Sequence, residues 1–364
     1  MSEWQTFCLK DLGKIIGGAT PPTNNPKNYG NKISWITPKD LSTLQGRYIK
    51  KGSRSISRLG FKSCSCVLLP KHAILFSSRA PIGYVAIAEK RLCTNQGFKS
   101  IIPNKKIYFE FLYYLLKYHK DNIFNIGGGT TFKEVSGATL GLFKVKIPPT
   151  YHEQQKIART LSILDQKIEN NHKINELLHN LTHKVYGYYF KYKPKNAKLE
   201  QIIIENPKSS IMVKNAQKTQ DKYPFFTSGD NTLSYPKAII DGRNCFLNTG
   251  GNAGIKFYVG KASYSTDTWC IGANEFSDYL YLLLSSIKTH INQSFFQGTS
   301  LKHLQKNLLK KYPIYMPSAH EIKKFNQIMM PLLTLISINT RTSKKLEQIR
   351  DFLLPLLLKQ QVKP

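Results

Sequence analysis

The chain has 364 residues, 41% of them apolar, which is enough for two or three domains with cores of their own. Lys and Arg number 53 against 22 Asp and Glu, a formal charge of +31, and so large an excess calls for a polyanionic partner, nucleic acid first, because neutralised phosphates release counterions. No run of 18 apolar residues and no apolar leader occurs, which excludes a spanning helix and a secretory signal and predicts a cytoplasmic chain with no membrane role.

Residues 1–150 carry a net charge of +16 and are rich in Gly, Pro, Asn, Ser and β-branched residues. Ala73–Phe76 and Val85–Ala88 read as short strands between turn signals, and Phe109 to Tyr118 reads as a helix. Pro148-Pro149 stops this region. From Ile157, positions Leu161, Leu164, Ile168, Asn171, Asn175, Leu178, Thr182, Val185 and Tyr189 follow at alternating steps of four and three. That spacing is a heptad seam and predicts a helix over 152–191, about 60 Å long at 1.5 Å per residue. This segment, 151–192, is nearly neutral at +2. The Gly187-Tyr188-Tyr189 stretch and the Lys-rich 191–198 linker let the chain turn into a second basic region, 193–317, of net charge +8. There Cys245–Asn248 reads as a strand and Phe276 to Leu284 as a helix. The last segment, 318–364, repeats the seam at Ile328, Leu332, Leu335, Asn339, Thr342, Leu346, Ile349, Leu353 and Leu356. Polar residues sit near the middle of both seams, where buried Asn fixes register at some cost in stability.

The chain therefore repeats once. Residues 129–148, GTTFKEVSGATLGLFKVKIP, lie opposite 298–317, GTSLKHLQKNLLKKYPIYMP, and each copy ends on a Pro followed by a Glu, Glu153 or Glu321, and a helix. Upstream, Ser78–Gly83 lies opposite Thr249–Gly254, and Thr94–Gly97 opposite Ser265–Thr268. If the two long helices pair antiparallel, the basic domains fall at opposite ends about a pseudo-twofold axis, which suits duplex DNA contacted at two half-sites.

Three segments of the first domain, Trp35-Ile36-Thr37-Pro38-Lys39-Asp40-Leu41, Ser78-Arg79-Ala80-Pro81-Ile82-Gly83 and Thr94-Asn95-Gln96-Gly97-Phe98, stand in order with the two Gly-Thr…Pro…Glu lead-ins to the helices. In that order, and over essentially the whole chain, the sequence resembles the specificity subunits of type I restriction-modification systems. The second domain has no Trp-Ile-Thr-Pro-Lys-Asp counterpart. The resemblance implies an α+β chain of two mixed α/β target-recognition domains, 1–150 and 193–317. Two long helices, 151–192 and 318–364, join them as an antiparallel coiled coil. It implies that each domain reads half of a split double-stranded DNA site. It further implies that the helices dock two modification (methyltransferase) subunits that use S-adenosylmethionine, and that restriction subunits using ATP and Mg join the assembly. A specificity partner of a type II bipartite-site system shares these domains, and a free-standing DNA-binding regulator is a further alternative.

Catalytic signatures are missing from the sequence. Gly254–Ala262 is one residue too long for a phosphate loop and ends on Ala. Ile147-Pro148-Pro149-Thr150 lacks the flanking residues of an amino-methyltransferase motif. His179 and His183 lie four apart, but without the Glu of HExxH. The six cysteines, Cys8, Cys64, Cys66, Cys93, Cys245 and Cys270, form no CxxC pair and read as small apolar residues of a reducing compartment. Neither a metal nor a cofactor is expected in this chain. For DNA, Lys50, Lys51, Arg54 and Arg58 are candidate phosphate contacts. Ser77, Ser78, Arg79, Asn95 and Gln96 in the first domain are candidates for base reading, because these residue types donate and accept at base edges. In the second domain the candidates are Asn231, Asn248, Thr249, Asn252, Lys256 and Thr266. Arg79 stands among small residues with no partner evident in the sequence.

Overall fold

Two helices of 40 residues, Tyr151–Phe190 and Ala319–Leu358, are the longest elements. Both start on a hydroxyl cap. Thr150 Oγ1 accepts from Glu153 N at 3.2 Å, and Ser318 Oγ from Glu321 N at 3.3 Å while the Glu321 carboxylate accepts from Ser318 N at 3.0 Å. The first helix runs straight through Gly187, so the turn expected there falls after Phe190 instead; packing of the flanking Tyr186 and Phe190 (7% and 2% exposed) outweighs glycine's weak helix propensity. The computed structural model describes residues 3–129, 133–216 and 222–364. It gathers into two units, one of 1–170 with 343–364 and the other of 171–342. Each long helix thus gives one stretch to each unit.

In the first unit the strands are β1 (Gln5–Cys8), β2 (Gly13–Gly17), β3 (Tyr29–Ile36), β4 (Tyr48–Ile49), β5 (Arg54–Ile56), β6 (Ile74–Ser78), β7 (Ile82–Ala88), β8 (Cys93–Thr94), β9 (Lys99–Pro103) and β10 (Lys144–Ile147). They form a five-stranded sheet of order β2-β9-β6-β7-β4, a three-stranded sheet β5-β3-β8, and the pair β1-β10. Every residue of β6 is buried, as its unbroken Ile-Leu-Phe run and central place require. The helix Phe109–Tyr118 covers the larger sheet with an apolar face that includes Phe111, Leu112 and Leu115.

In the second unit they are β11 (Ala197–Lys198), β12 (Ile204–Glu205), β13 (Tyr223–Phe226), β14 (Leu233–Tyr235), β15 (Arg243–Asn248), β16 (Ile255–Val259), β17 (Ser263–Tyr264), β18 (Thr268–Gly272), β19 (Phe296–Gln297), β20 (His303–Leu304) and β21 (Pro313–Ile314). The orders are β12-β18-β15-β16 and β14-β13-β17, with β11-β21 and β19-β20 as separate pairs. The plan is the first unit's, without a counterpart of β4 and with the added pair β19-β20. In both three-stranded sheets the middle strand has one parallel neighbour (β3·β8, β13·β17) and one antiparallel neighbour (β3·β5, β13·β14). The sequence repeat is therefore a repeat of topology, and the mixed α/β character of both copies is observed.

The helix segments run antiparallel in each unit. In the second, Asn175 faces Asn339 and Tyr189 packs on Phe325. In the first, Asp165 faces Arg350 (2.6 Å) and Ile157 lies beside Leu357. The expected polar midpoint forms one network: Asn339 Nδ2 donates to Asn175 Oδ1 (2.9 Å), and Asn175 Nδ2 donates to Ile336 O and Thr340 Oγ1 (3.3 Å each). Of the first seam, Ile168 and Asn171 are buried, and Leu164, Leu178 and Val185 are half-buried. The second seam differs from the buried face at three positions, Ile328, Leu335 and Ile349. Leu332, Asn339, Leu346 and Leu353 face inward, but Leu335 is 41% exposed while Ile336 is 8% exposed. Ile328 and Ile349 are exposed as well, Thr342 and Leu356 are half-buried, and the adjacent Met329, Ser343 and Leu357 are buried. The cause is that this helix also packs on its own domain, as Phe325, Met329 and Leu333 do with Tyr279–Leu284, so its buried face is wider than a coiled-coil stripe.

One arginine, buried in the first domain and half-buried in the second, ties each domain to its long helix. Arg47, 2% exposed, donates to Glu110 (3.0 Å) on the domain helix and to Glu169 (3.0 Å) on the first long helix. Arg243 donates to Asp278 (2.6 and 2.7 Å) and to Thr334 Oγ1 (2.9 Å) on the second long helix. Removing one member of such a pair would strand a buried charge.

Candidate nucleic-acid interface

At the β6–β7 tip, Ser77 Oγ donates to Pro81 O (2.8 Å) and accepts from Tyr84 N (2.8 Å). Ser78 N and Oγ both donate to Gly97 O (2.8 and 3.3 Å), which joins the tip to the β8–β9 turn. Asn95 N donates to Ile36 O (2.9 Å), and Asn95 Oδ1 accepts from Gly97 N (3.0 Å). Thr37 and Asp40 close a capping box after β3, and Asp40 also accepts from Ser53 N (2.7 Å). Burial raises the Asp40 pKa, but these hydrogen bonds prevail and hold it below the usual carboxylate range. The three segments from the first domain, remote in sequence, therefore meet in one loop cluster. Val135 N, from the segment leading to the long helix, donates to Ser78 O (3.0 Å) and completes it.

The second unit builds the same frame with other side chains. Thr249 N and Oγ1 both donate to Asp267 O (3.2 and 2.8 Å), Ser265 N donates to Phe226 O (2.9 Å), and Leu304 N donates to Thr249 O (2.9 Å). Asn248 Nδ2 reaches Asn252 O (3.1 Å) as Ser77 reaches Pro81. A left-handed residue follows in each tip, Ala80 (φ 46°) and Gly251 (φ 78°). These bonds match Ser78 with Thr249, as the sequence does. They match Gly97 with Asp267, which moves the expected Thr94–Gly97 pairing by one residue.

Several residues chosen for base reading are hydrogen-bonded into the loop framework. Ser77 and Ser78 are fully buried, and their hydroxyls are committed to the loops. Asn248, 7% exposed, is likewise committed. Lys256 Nζ donates to Thr227 O (2.6 Å), to Gly229 O and to Asn248 Oδ1 (3.5 Å), and burial pushes its ammonium below the ordinary lysine range. Asn95 and Thr249 are half-buried and tied into the turns; these polar types serve the backbone first. Arg79 has a partner after all, Glu134 at 3.4 Å, and keeps 39% of its side chain exposed. Gln96 is exposed and accepts from Thr20 Oγ1. Asn231 and Asn252 are exposed, and Thr266 is half-buried beside Asp267 (3.5 Å).

Of the cations, Lys51, Arg54 and Arg58 are exposed, with Arg54 over the Tyr29 ring at 4.8 Å. Lys50 lies 3.9 Å from Glu89, past the end of β7 away from the tip, so the structure does not bring it to the cluster. Sequence reasoning missed Thr20, Glu134 and Ser228; the last donates to Asp267 O. The signal for the Thr20 loop was Gly17-Gly18: a Cβ on Gly18 would lie 2.0 Å from Asn95 O, so only glycine permits that approach. Gly129 lies at the edge of the cluster, and Thr130, Thr131 and Phe132 of the repeated lead-in lie outside the described residues. Among the described residues no group of three or more His, Cys, Asp or Glu side chains is placed to hold a metal ion.

The family model described as the type I restriction modification DNA specificity domain matches residues 1–180 and again 194–348. The chain belongs to this family. Both copies of the repeat are thus specificity domains. The type I restriction enzyme MjaIX specificity subunit of Methanocaldococcus jannaschii is 33% identical over 98% of this chain and 93% of its own length. The type I restriction enzyme HindI specificity subunit of Haemophilus influenzae is 30% identical over 46% of this chain and 37% of its own. In fold, the chain is similar to the crystal structure of the type I restriction-modification system S subunit from M. genitalium, with a TM-score of 0.67, 17% identity, and 98% and 96% of the two chains covered. Two specificity domains with a long helix after each is the architecture that the repeat and the seams predict. No helix among the described residues is long and apolar enough to cross a membrane.

Proposed function

We propose that this chain is the non-catalytic DNA-recognition subunit of a type I restriction-modification complex, with each specificity domain reading one half of a split double-stranded target. The observation that carries this reading is the loop cluster built twice on one frame: the same backbone bonds recur, while the exposed side chains differ between the copies. A constant frame with variable tips suits two unlike half-sites. The exposed candidates for contact are Arg79, Gln96, Asn231 and Asn252, with Lys51, Arg54 and Arg58 on phosphates. The two long helices serve as spacer and as the docking surface for modification subunits, two per chain. S-adenosylmethionine, ATP and Mg belong to the partner subunits, and the complex works in the cytoplasm.

The test is co-expression with the neighbouring methyltransferase gene product, followed by genome-wide mapping of methylated adenines. The expected result is one split motif with a fixed spacer, lost when this gene is deleted. Unchanged methylation after deletion, together with no stable complex, would instead support a free DNA-binding regulator.

A further inference from the structure

The first domain's loop cluster contains an ion triad that the recognition frame does not need. Glu134 lies 3.4 Å from Arg79 and 3.4 Å from Lys99, one carboxylate oxygen to each. Arg79 stands at the β6–β7 tip, Lys99 opens β9, and Glu134 is bridged to Gly128 on the last loop of the cluster. Arg79 and Glu134 keep 39% and 38% of their side chains exposed. Both contacts are longer than strong charge-assisted bonds, and pairs this exposed add little to stability. Among the described residues, the second domain has no such triad at the equivalent positions. Its equivalents, fixed by the matched backbone bonds, are Gly250, Trp269 and His303.

Resting on the DNA-binding reading above, we propose that Glu134 is a specificity-determining residue of the first domain, an internal stand-in for a phosphate. It occupies Arg79 and Lys99 when no matching site is present. Phosphate oxygens alone must displace a carboxylate that offers the same chemistry, and Glu134 then faces the DNA backbone as a like charge. Both effects weaken sequence-independent binding, which phosphate contacts dominate. A site that offers Arg79 a base edge as well compensates for the lost ion pair, so the ratio of specific to non-specific affinity rises.

The experiment uses the full chain, a random-sequence duplex of roughly 40 base pairs as the probe, and fluorescence anisotropy across a NaCl series. Glu134→Gln keeps the shape and removes the charge. It is expected to bind about three- to tenfold more tightly than wild type at about 100 mM salt, with a log–log salt slope steeper by about 1 to 2, near 0.9 per added phosphate contact. Adding Arg79→Ala to that variant is expected to abolish most of the gain. Unchanged thermal unfolding shows that the variants are folded. Equal affinity and slope for E134Q and wild type would overturn the proposal, and so would weaker binding at unchanged slope, which would make Glu134 a direct DNA contact. If wild type shows no salt-dependent binding at all, the DNA-recognition reading fails and this proposal falls with it.

Discussion

Glu321 condenses the logic of this chain into one side chain. Its carboxylate accepts from Ser318 N (3.0 Å) and from Tyr315 Oη (2.9 and 2.7 Å), and Lys193 lies 3.3 Å away. The hydrogen bond from Ser318 N, then that from the tyrosine, hold its pKa at about 2, below the ordinary glutamate value of 4.5. A pKa depressed on folding means stability that is present above about pH 4.5 and is lost as pH falls toward 2. Glu321→Gln, which cannot titrate, is therefore expected to flatten the fall in melting temperature between about pH 5 and pH 2.5 and to cost some stability at pH 7. Parallel melts of the two proteins check this; identical acid profiles would show that other carboxylates set the acid limb. The residue was visible in the sequence as part of the Pro…Glu lead-in, but its partners were not, because Tyr315 reaches it by a fold of the same lead-in and Lys193 arrives from the linker after the first long helix.

The second long helix shows the next level. Its 4–3 spacing marked a helix correctly, since apolar periodicity depends only on the chain. It misplaced part of the face, since which of two adjacent apolar residues turns inward depends on what packs there. Ile336 and Leu335 make the difference measurable. Ile336→Ala, at an 8% exposed site, is expected to cost about 2–5 kcal/mol, and Leu335→Ala, at a 41% exposed site, below about 1 kcal/mol. Urea unfolding of the two variants decides it, and equal losses would restore the seam read from the sequence. Leu335 and its exposed neighbour Ile338 then remain as apolar residues on a face that the chain itself leaves uncovered.

For the molecule as a whole, each long helix contributes a stretch to both compact units. Under the proposed function, deletion of one heptad from each helix removes about 10 Å of rise, or roughly three base pairs of duplex. Adenine-methylation mapping with the shortened subunit is expected to find the same two half-sites with a changed spacer. Altered half-sites with an unchanged spacer would show that the helices do not set the distance.

Length, charge, the internal repeat, the two helices and the presence of polar residues near the middle of both seams were settled by the sequence alone. Each depends on composition or on spacing along one chain, which no tertiary contact changes. Which of the candidate contact residues stay exposed was decided by the tertiary structure. Ser77, Ser78, Asn248 and Lys256 have the chemistry of base readers, and in isolation nothing distinguishes them from Gln96 or Asn252. Folding makes the distinction, because a polar group inside a loop cluster must satisfy the backbone around it before anything outside. Arg47, Arg243 and Glu134 stayed hidden for the same reason: a charged residue's role follows from the partners that the fold brings to it.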